Sequence, residues 1–220
     1  MKKILTPSID TFNSDNYHQL CDSLGKKDKD LQSVIDRYGY PPMWMRPNSF
    51  ESLVHIILEQ QVSLASALAA LKKLQEKTIE LTPLTVLKLS DEEMRACYVS
   101  RQKMVYIRGL ANALESKTID LKKLENLSND LVRAKLIQLK GIGNWTIDVY
   151  LMFVLQRVDI FPIGDLAVIN AIKKLKLLPK STDKETIQGM SDNWQPYRTV
   201  ASMILWHFYL SSSGSKMLPL

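Results

Sequence analysis

The sequence predicts an all-α protein of roughly eight to ten helices. Three observations carry that class. Apolar residues recur at helical spacing in one segment after another, helix-start signals stand ahead of several of them, and no segment shows the alternation of a strand. Asn48 with Glu51, Ser90 with Glu93 and Thr182 with Glu185 have the spacing of capping boxes. In FESLVHIILEQQVSLASALAALKKLQEK the set Phe50, Leu53, Val54, Ile57, Leu58, Ala65 and Leu68 predicts one long amphipathic or buried helix. DEEMRACYVSRQKMVYIRGLANALES reads as two helices with a break at Ser100 or Arg101. LSNDLVRAKLIQL, WTIDVYLMFVLQR, LAVINAIKKLKLL and QPYRTVASMILWHFYL supply the rest, joined by short loops of the kind common in helical folds.

Composition excludes several classes of function. With 220 residues, 45% of them hydrophobic, the chain can bury a full core as one domain or two closely packed lobes. No run of about 18 apolar residues exists to span a membrane. The start, MKKILTPSIDTFNSDNYHQL, has the lysines of a signal peptide but turns polar after Leu5, so an intracellular location is expected, in cytoplasm or nucleoid, or in the nucleus of a eukaryote. Cys21 and Cys97 are isolated, which argues against an iron–sulfur or zinc site and against a disulfide scaffold. His18, His55 and His207 have no metal-ligand spacing, and no phosphate-binding loop for a nucleotide cofactor is present. The net charge of +6 suits a polyanionic partner and suits a solvated lysine-rich surface equally well.

The most informative stretch is LKGIGNWTIDVYLMFVLQRVDIFPIGDL, residues 139–166. Gly141 and Gly143 interrupt two helical segments; glycines accept positive φ and let a ligand approach the backbone. The second helix should begin near Asn144, with its free N–H groups and positive dipole end leaving the turn as a phosphate site. A plain αα-hairpin that needs small residues is the other reading of Gly-x-Gly. Asp165 precedes LAVINAIKKL and reads as the N-cap of that helix. A cap held in one rotamer by backbone N–H groups is also suited to act as a catalytic anion. Trp145 and Trp206 read as core aromatics, and Gln60 and Gln61 as an exposed face, satisfied buried amides or the lining of a cleft.

Four blocks together resemble the helix-hairpin-helix superfamily of DNA glycosylases with the Gly/Pro-rich loop and aspartate, and within it the alkylation-repair branch, DNA-3-methyladenine glycosylase II. They are ILEQQVSLASALAA (57–70), SRQKMVYIRGLANAL (100–114), LKGIGNWTIDVYLMFVLQRVDIFPIGDLAV (139–168) and WQPYRTVASMILWHF (194–208), in family order over about 150 residues. The resemblance implies two packed helical lobes with the active-site cleft between them. As a single unit the chain would divide into a lobe of about 1–50 plus 166–220 and one of about 51–165 with the hairpin at 137–146. It implies Asp165 as the catalytic acid residue, and Trp145 and Trp206 as the lining of the pocket for an extruded base. Gly141, Ile142, Gly143, Asn144 and Thr146 would grip DNA phosphates, and Gln60 and Gln61 would enter the duplex. The carbonyls of Ile137, Leu139 and Ile142 would hold a structural Na⁺ or K⁺.

Bifunctional relatives carry a lysine where this chain has Trp145, and the cysteines of the iron–sulfur branch are missing. The resemblance therefore implies a monofunctional enzyme without a catalytic cofactor. It would act, as a monomer, on double-stranded DNA containing alkylated bases such as 3-methyladenine. Two alternatives stay open: a helix-hairpin-helix DNA-binding protein without turnover, and a glycosylase for an oxidised or mismatched base.

Overall fold

The computed structural model describes residues 10–212, so much of the stretch read for a leader lies outside the described residues. Among the described residues the chain forms thirteen helices and no strand; Thr11 and Arg157 make an isolated antiparallel bridge. In chain order these are α1 (Tyr17–Lys27), α2 (Lys29–Tyr38), α3 (Phe50–Glu59), α4 (Leu64–Thr78), α5 (Pro83–Leu87), α6 (Asp91–Ala96) and α7 (Arg101–Glu115). There follow α8 (Leu121–Leu124), α9 (Asn129–Leu136), α10 (Asn144–Phe153), α11 (Leu166–Leu175), α12 (Lys184–Asp192) and α13 (Arg198–Ser212).

The all-α class holds, with more helices than the sequence predicts. The helices α5 and α8 have five and four residues, too short to show a period. The single long helix expected over 50–77 is two. It stops at Glu59, and Gln61 takes a left-handed φ of 58° before Ser63 caps α4 by accepting the Ser66 N–H. The apolar period runs on through the break, which is why the pattern hides it. Two expected capping boxes are also displaced by one residue. Ser49 and Asp183 are the caps, taking the N–H groups of Ser52 and Thr186. Asn48 instead donates to the Leu121 carbonyl and to Glu125, and Thr182 donates to the Pro179 carbonyl. The Ser90–Glu93 box forms as expected, and Ser100 is the break, capping α7.

The described residues fall into two units, one of residues 46–150 and one of residues 10–45 with 151–212. The Phe161–Asp165 turn thus belongs to the second unit, whereas the sequence suggests a division near residue 165. In the first unit α3 packs on α4 and α7, and α5 and α6 also lie on α7. Leu53, Ile56, Ile57, Leu74, Ile107, Leu110, Leu136 and Ile147 are buried there. Arg133 and Asp148 form an ion pair that joins α9 to α10.

In the second unit α13 packs on α1, α2 and α11 around Tyr17, Leu24, Leu31, Val168, Ile172, Trp194, Val200 and Ile204. Its polar anchor is Asp28. One carboxylate oxygen caps α2, accepting the N–H groups of Asp30 and Leu31; the other accepts Lys176 Nζ at 2.8 Å and Trp194 Nε1 at 2.9 Å. Burial opposes ionisation of Asp28, but the donors from Lys176, Trp194 and Leu31 outweigh it and hold its pKa below the ordinary 3.8. A lowered carboxylate pKa means stability that is present above the unfolded-state value and lost as pH falls through the folded-state one. Asp28→Ala should therefore cost about 1–3 kcal/mol at pH 7, from the lost cap and the orphaned donors. In thermal melts the gap to the parent protein should narrow below about pH 4, near the reference carboxylate pKa. A gap that does not depend on pH would assign the effect to packing.

Candidate active site

In the second unit Asp165 closes the turn that follows Phe161, donating its own N–H to the Pro162 carbonyl at 2.8 Å. Its extended backbone makes it the N-cap of α11, and Oδ1 accepts the N–H groups of Ala167 and Val168 at 2.9 and 3.0 Å. The capping function read from the sequence is thus present. A third donor reaches the same oxygen: Trp206 Nε1, at 2.9 Å from α13. The residue is only 5% exposed, so these donors fix its rotamer in a site with little water.

Trp206 is held as firmly as the acid. Its ring lies 5.0 Å from Phe153 at a 34° tilt and 5.9 Å from Trp44, edge-on, both within the favourable range for aromatic pairs. Trp206 stays half-buried while most of α13 around it is fully covered. The start of α13 is bolted to the strand-like segment that leads into the turn. Arg198 grips the Asp159 carboxylate through Nε and Nη2 at 2.7 and 2.8 Å. Thr199 accepts the Ile160 N–H at 3.0 Å and donates to the Arg157 carbonyl at 2.6 Å. The two ends that meet at Asp165 and Trp206 are therefore positioned by one set of contacts.

In the first unit the hairpin between α9 and α10 forms where the glycines predict it. Only Gly141 has left-handed backbone, with φ 87°, and a Cβ there would stand 2.0 Å from the Tyr106 ring. Gly143 needs no positive φ, and a Cβ on it would meet nothing within 4 Å. The strain expected of both glycines is thus confined to the first; the second leaves an open approach. The Gly143 carbonyl accepts the first helical bond of α10, from Ile147 at 3.0 Å. Gly143, at the position before Asn144, has no side chain with which to cap α10.

The other expected site residues take distinct places in this unit. Gly143 and Asn144 are exposed, Trp145 is half-buried and Ile142 is buried. Thr146 is covered, and its Oγ1 accepts Gln60 Nε2 at 2.9 Å. The same nitrogen donates to the Gly141 carbonyl at 2.8 Å, so Gln60 faces inward while Gln61 is exposed at the tip of its turn. The donor set expected for a monovalent cation is chemically suitable, since main-chain carbonyls are neutral hard oxygens. Leu139 already accepts the Ile142 N–H at 3.0 Å and keeps a second lone pair, and Ile137 ends α9, at the negative end of its dipole.

Residues 54–196 match the HhH-GPD superfamily of base excision DNA repair proteins. The chain belongs to that superfamily. The crystal structure of a DNA-3-methyladenine glycosidase from Bacillus halodurans is similar over 93% of this chain and 94% of its own, with a TM-score of 0.74 and 30% identity. The Schizosaccharomyces pombe 3-methyladenine DNA glycosylase in complex with abasic DNA matches over 90% and 97%, with a TM-score of 0.76 and 29% identity. The curated DNA-3-methyladenine glycosylase 1 of the same yeast is 31% identical over 182 residues, 81% of this chain and 80% of that protein. A Bacillus subtilis relative is 27% identical over 184 residues, and the chain spans 64% of that protein's length.

Several supports of this HhH-GPD site escape sequence reasoning. Trp44 and Phe153, which flank Trp206, lie in stretches that read as ordinary core, and the Asp159–Arg198 grip joins residues with no local signal. Tyr106 sits in the second family block, and nothing local in the sequence shows that its ring presses on Gly141. The two glycines should separate in stability. Gly141→Ala must shift the Tyr106 ring and hold alanine in left-handed backbone, at a cost of about 2–4 kcal/mol. Gly143→Ala should change stability by less than about 1 kcal/mol. Thermal unfolding of the two variants measures this, and equal losses would contradict the geometry.

Proposed function

We propose that this chain is a monofunctional DNA glycosylase that flips alkylated bases of the 3-methyladenine type out of duplex DNA and hydrolyses their N-glycosidic bonds, leaving abasic sites for base excision repair. The observation that carries this reading is the Asp165–Trp206 pair, a buried carboxylate pinned by three N–H donors beside a half-buried indole. A base within a duplex is out of reach and must be extruded, most cheaply when damaged. Cleavage of its bond leaves an oxocarbenium-like sugar, and a fixed carboxylate stabilises that charge and orients the attacking water. N-alkylated purines are cationic and leave readily, so no strong general acid is needed. Aromatic faces such as those of Trp206 and Trp145 favour a cationic base by about 0.5–2 kcal/mol, a modest preference that predicts slow excision of other lesions.

The start of α10, where Gly143 offers no capping side chain, and the open face of Gly143 suit a backbone phosphate, a contact that positions the protein without reading sequence. Asn144, Ile142 and the N–H groups of the first turn join that grip, with Gln61 at the exposed turn that meets the duplex. The Ile137, Leu139 and Ile142 carbonyls would hold Na⁺ or K⁺, which supplies positive charge to the hairpin when bound. Catalysis on this reading needs no cofactor, and the protein works as a monomer on double-stranded DNA.

Release of free 3-methyladenine from methylated duplex DNA, identified by chromatography, tests the reaction. Asp165→Asn should lower single-turnover release by at least about 100-fold, the scale of losing a fixed charge at a transition state. Asparagine keeps an acceptor oxygen for the same three N–H groups, so the melting temperature and DNA affinity should survive. Release of only oxidised or mismatched bases would replace the substrate, and no release of any base would leave a DNA-binding protein.

A second test concerns the sugar. A lysine nucleophile would form an imine that borohydride traps, and elimination would then nick the strand. Asn144-Trp145-Thr146, which follows the hairpin, offers no amine, whereas Lys140 precedes the glycines. Strands should stay intact after base release until alkali is added, and borohydride should trap no adduct. A trapped adduct lost on mutating one lysine would move the protein to the bifunctional branch.

A further inference from the structure

The hairpin and the turn after α3 lie some eighty residues apart in the chain, yet a closed circuit of contacts joins them within the first unit. Gln60 Nε2 spends both of its hydrogens on the hairpin, one on the Gly141 carbonyl at 2.8 Å and one on Thr146 Oγ1 at 2.9 Å. The opposite face of Gly141 is taken by the Tyr106 ring of α7. One turn earlier on α7, and so on the same face, Lys103 donates Nζ to the Leu58 carbonyl at 2.7 Å. That carbonyl belongs to the last turn of α3, where helical partners are missing and a cation complements the dipole. Glu59, between Leu58 and Gln60, is itself held by Arg46 through two bonds of 3.0 and 2.6 Å with both partners buried. Past this anchor the chain turns sharply, with Gln61 in left-handed backbone and exposed.

We propose that Gln60 and Lys103 are positioning residues that lock the Gln60–Ser63 turn to the hairpin as one rigid DNA-facing body; Gln60, expected from the resemblance to enter the duplex together with Gln61, instead turns its amide to the hairpin and leaves DNA contact to Gln61. The inference rests on the DNA-glycosylase reading and adds a division of labour to it. Two contact elements that are fixed relative to each other engage a distorted duplex at the entropic cost of one, because their separation is preset. Intact duplex, gripped by phosphates alone, gains little from that coupling.

The test uses the full chain and two probes, an intact duplex and the same duplex carrying a reduced abasic site. Lys103→Met should leave affinity for intact duplex within about twofold, and both Lys103→Met and Gln60→Ala should cut the preference for the abasic duplex about tenfold, the loss expected when two linked contacts become independent. Lys103→Arg, which can still donate to the Leu58 carbonyl, should restore the preference. Gln61→Ala combined with Gln60→Ala should cost less than the two single losses added, because the strut acts through the turn. A role in folding alone would lower both affinities together along with the melting temperature, and that outcome overturns the proposal, as does an unchanged preference in both variants. If the parent protein shows no preference for the abasic duplex, the glycosylase reading itself fails, which is a different result.

Discussion

The start of an α-helix presents N–H groups that its own turns do not satisfy, and this chain places very different residues at two such starts, on which the proposed site depends. At α11 the groups are answered by a carboxylate, Asp165, which is thereby held in one rotamer in a site that is almost fully covered. At α10 the residue in the capping position is Gly143, which has nothing to answer with and leaves its surroundings open. One helix start thus fixes a carboxyl group, and the other, on the proposed reading, would receive a phosphate. The same elementary rule gives two different outcomes, according to which residue stands at one position.

Both starts depend on supports far away in sequence. Asp165 meets Trp206 because Asp159 and Arg198, together with Thr199, fasten the segment before the turn to the start of α13. The hairpin keeps its shape because Gly141 has no Cβ to resist the Tyr106 ring and Gln60 holds its carbonyl. These supports consist of hydrogen bonds and ring contacts between partly buried side chains, where such bonds are worth more than on an open surface.

Much of the fold was legible because helices announce themselves through period and caps. The segments around Asn144, Leu166 and Ser100 begin where the residues say they should. The break at Gln60–Ser63 was hidden because its apolar period continues unbroken, and the left-handed Gln61 has no sequence signature of the kind that glycine provides. The short helices α5 and α8 fall below the length at which periodicity speaks. In the candidate site, the acid and the hairpin were readable because each combines an unusual residue with a helix boundary. The flanking rings of Trp44 and Phe153 were not, since an aromatic in an apolar run looks the same whether it supports a site or fills a core.

The bond from Trp206 to Asp165 has a consequence for how this protein can change. The indole that, on the proposed reading, offers its face to the extruded base is also, through its N–H, a donor that orients Asp165. Phenylalanine or tyrosine at that position would keep an aromatic wall but put no indole N–H on the carboxylate. On that reading base preference and reactivity are coupled through one side chain and cannot drift independently there. On the same reading new specificity is more accessible at Trp44 or Phe153, whose rings pack against the indole and shape its surroundings.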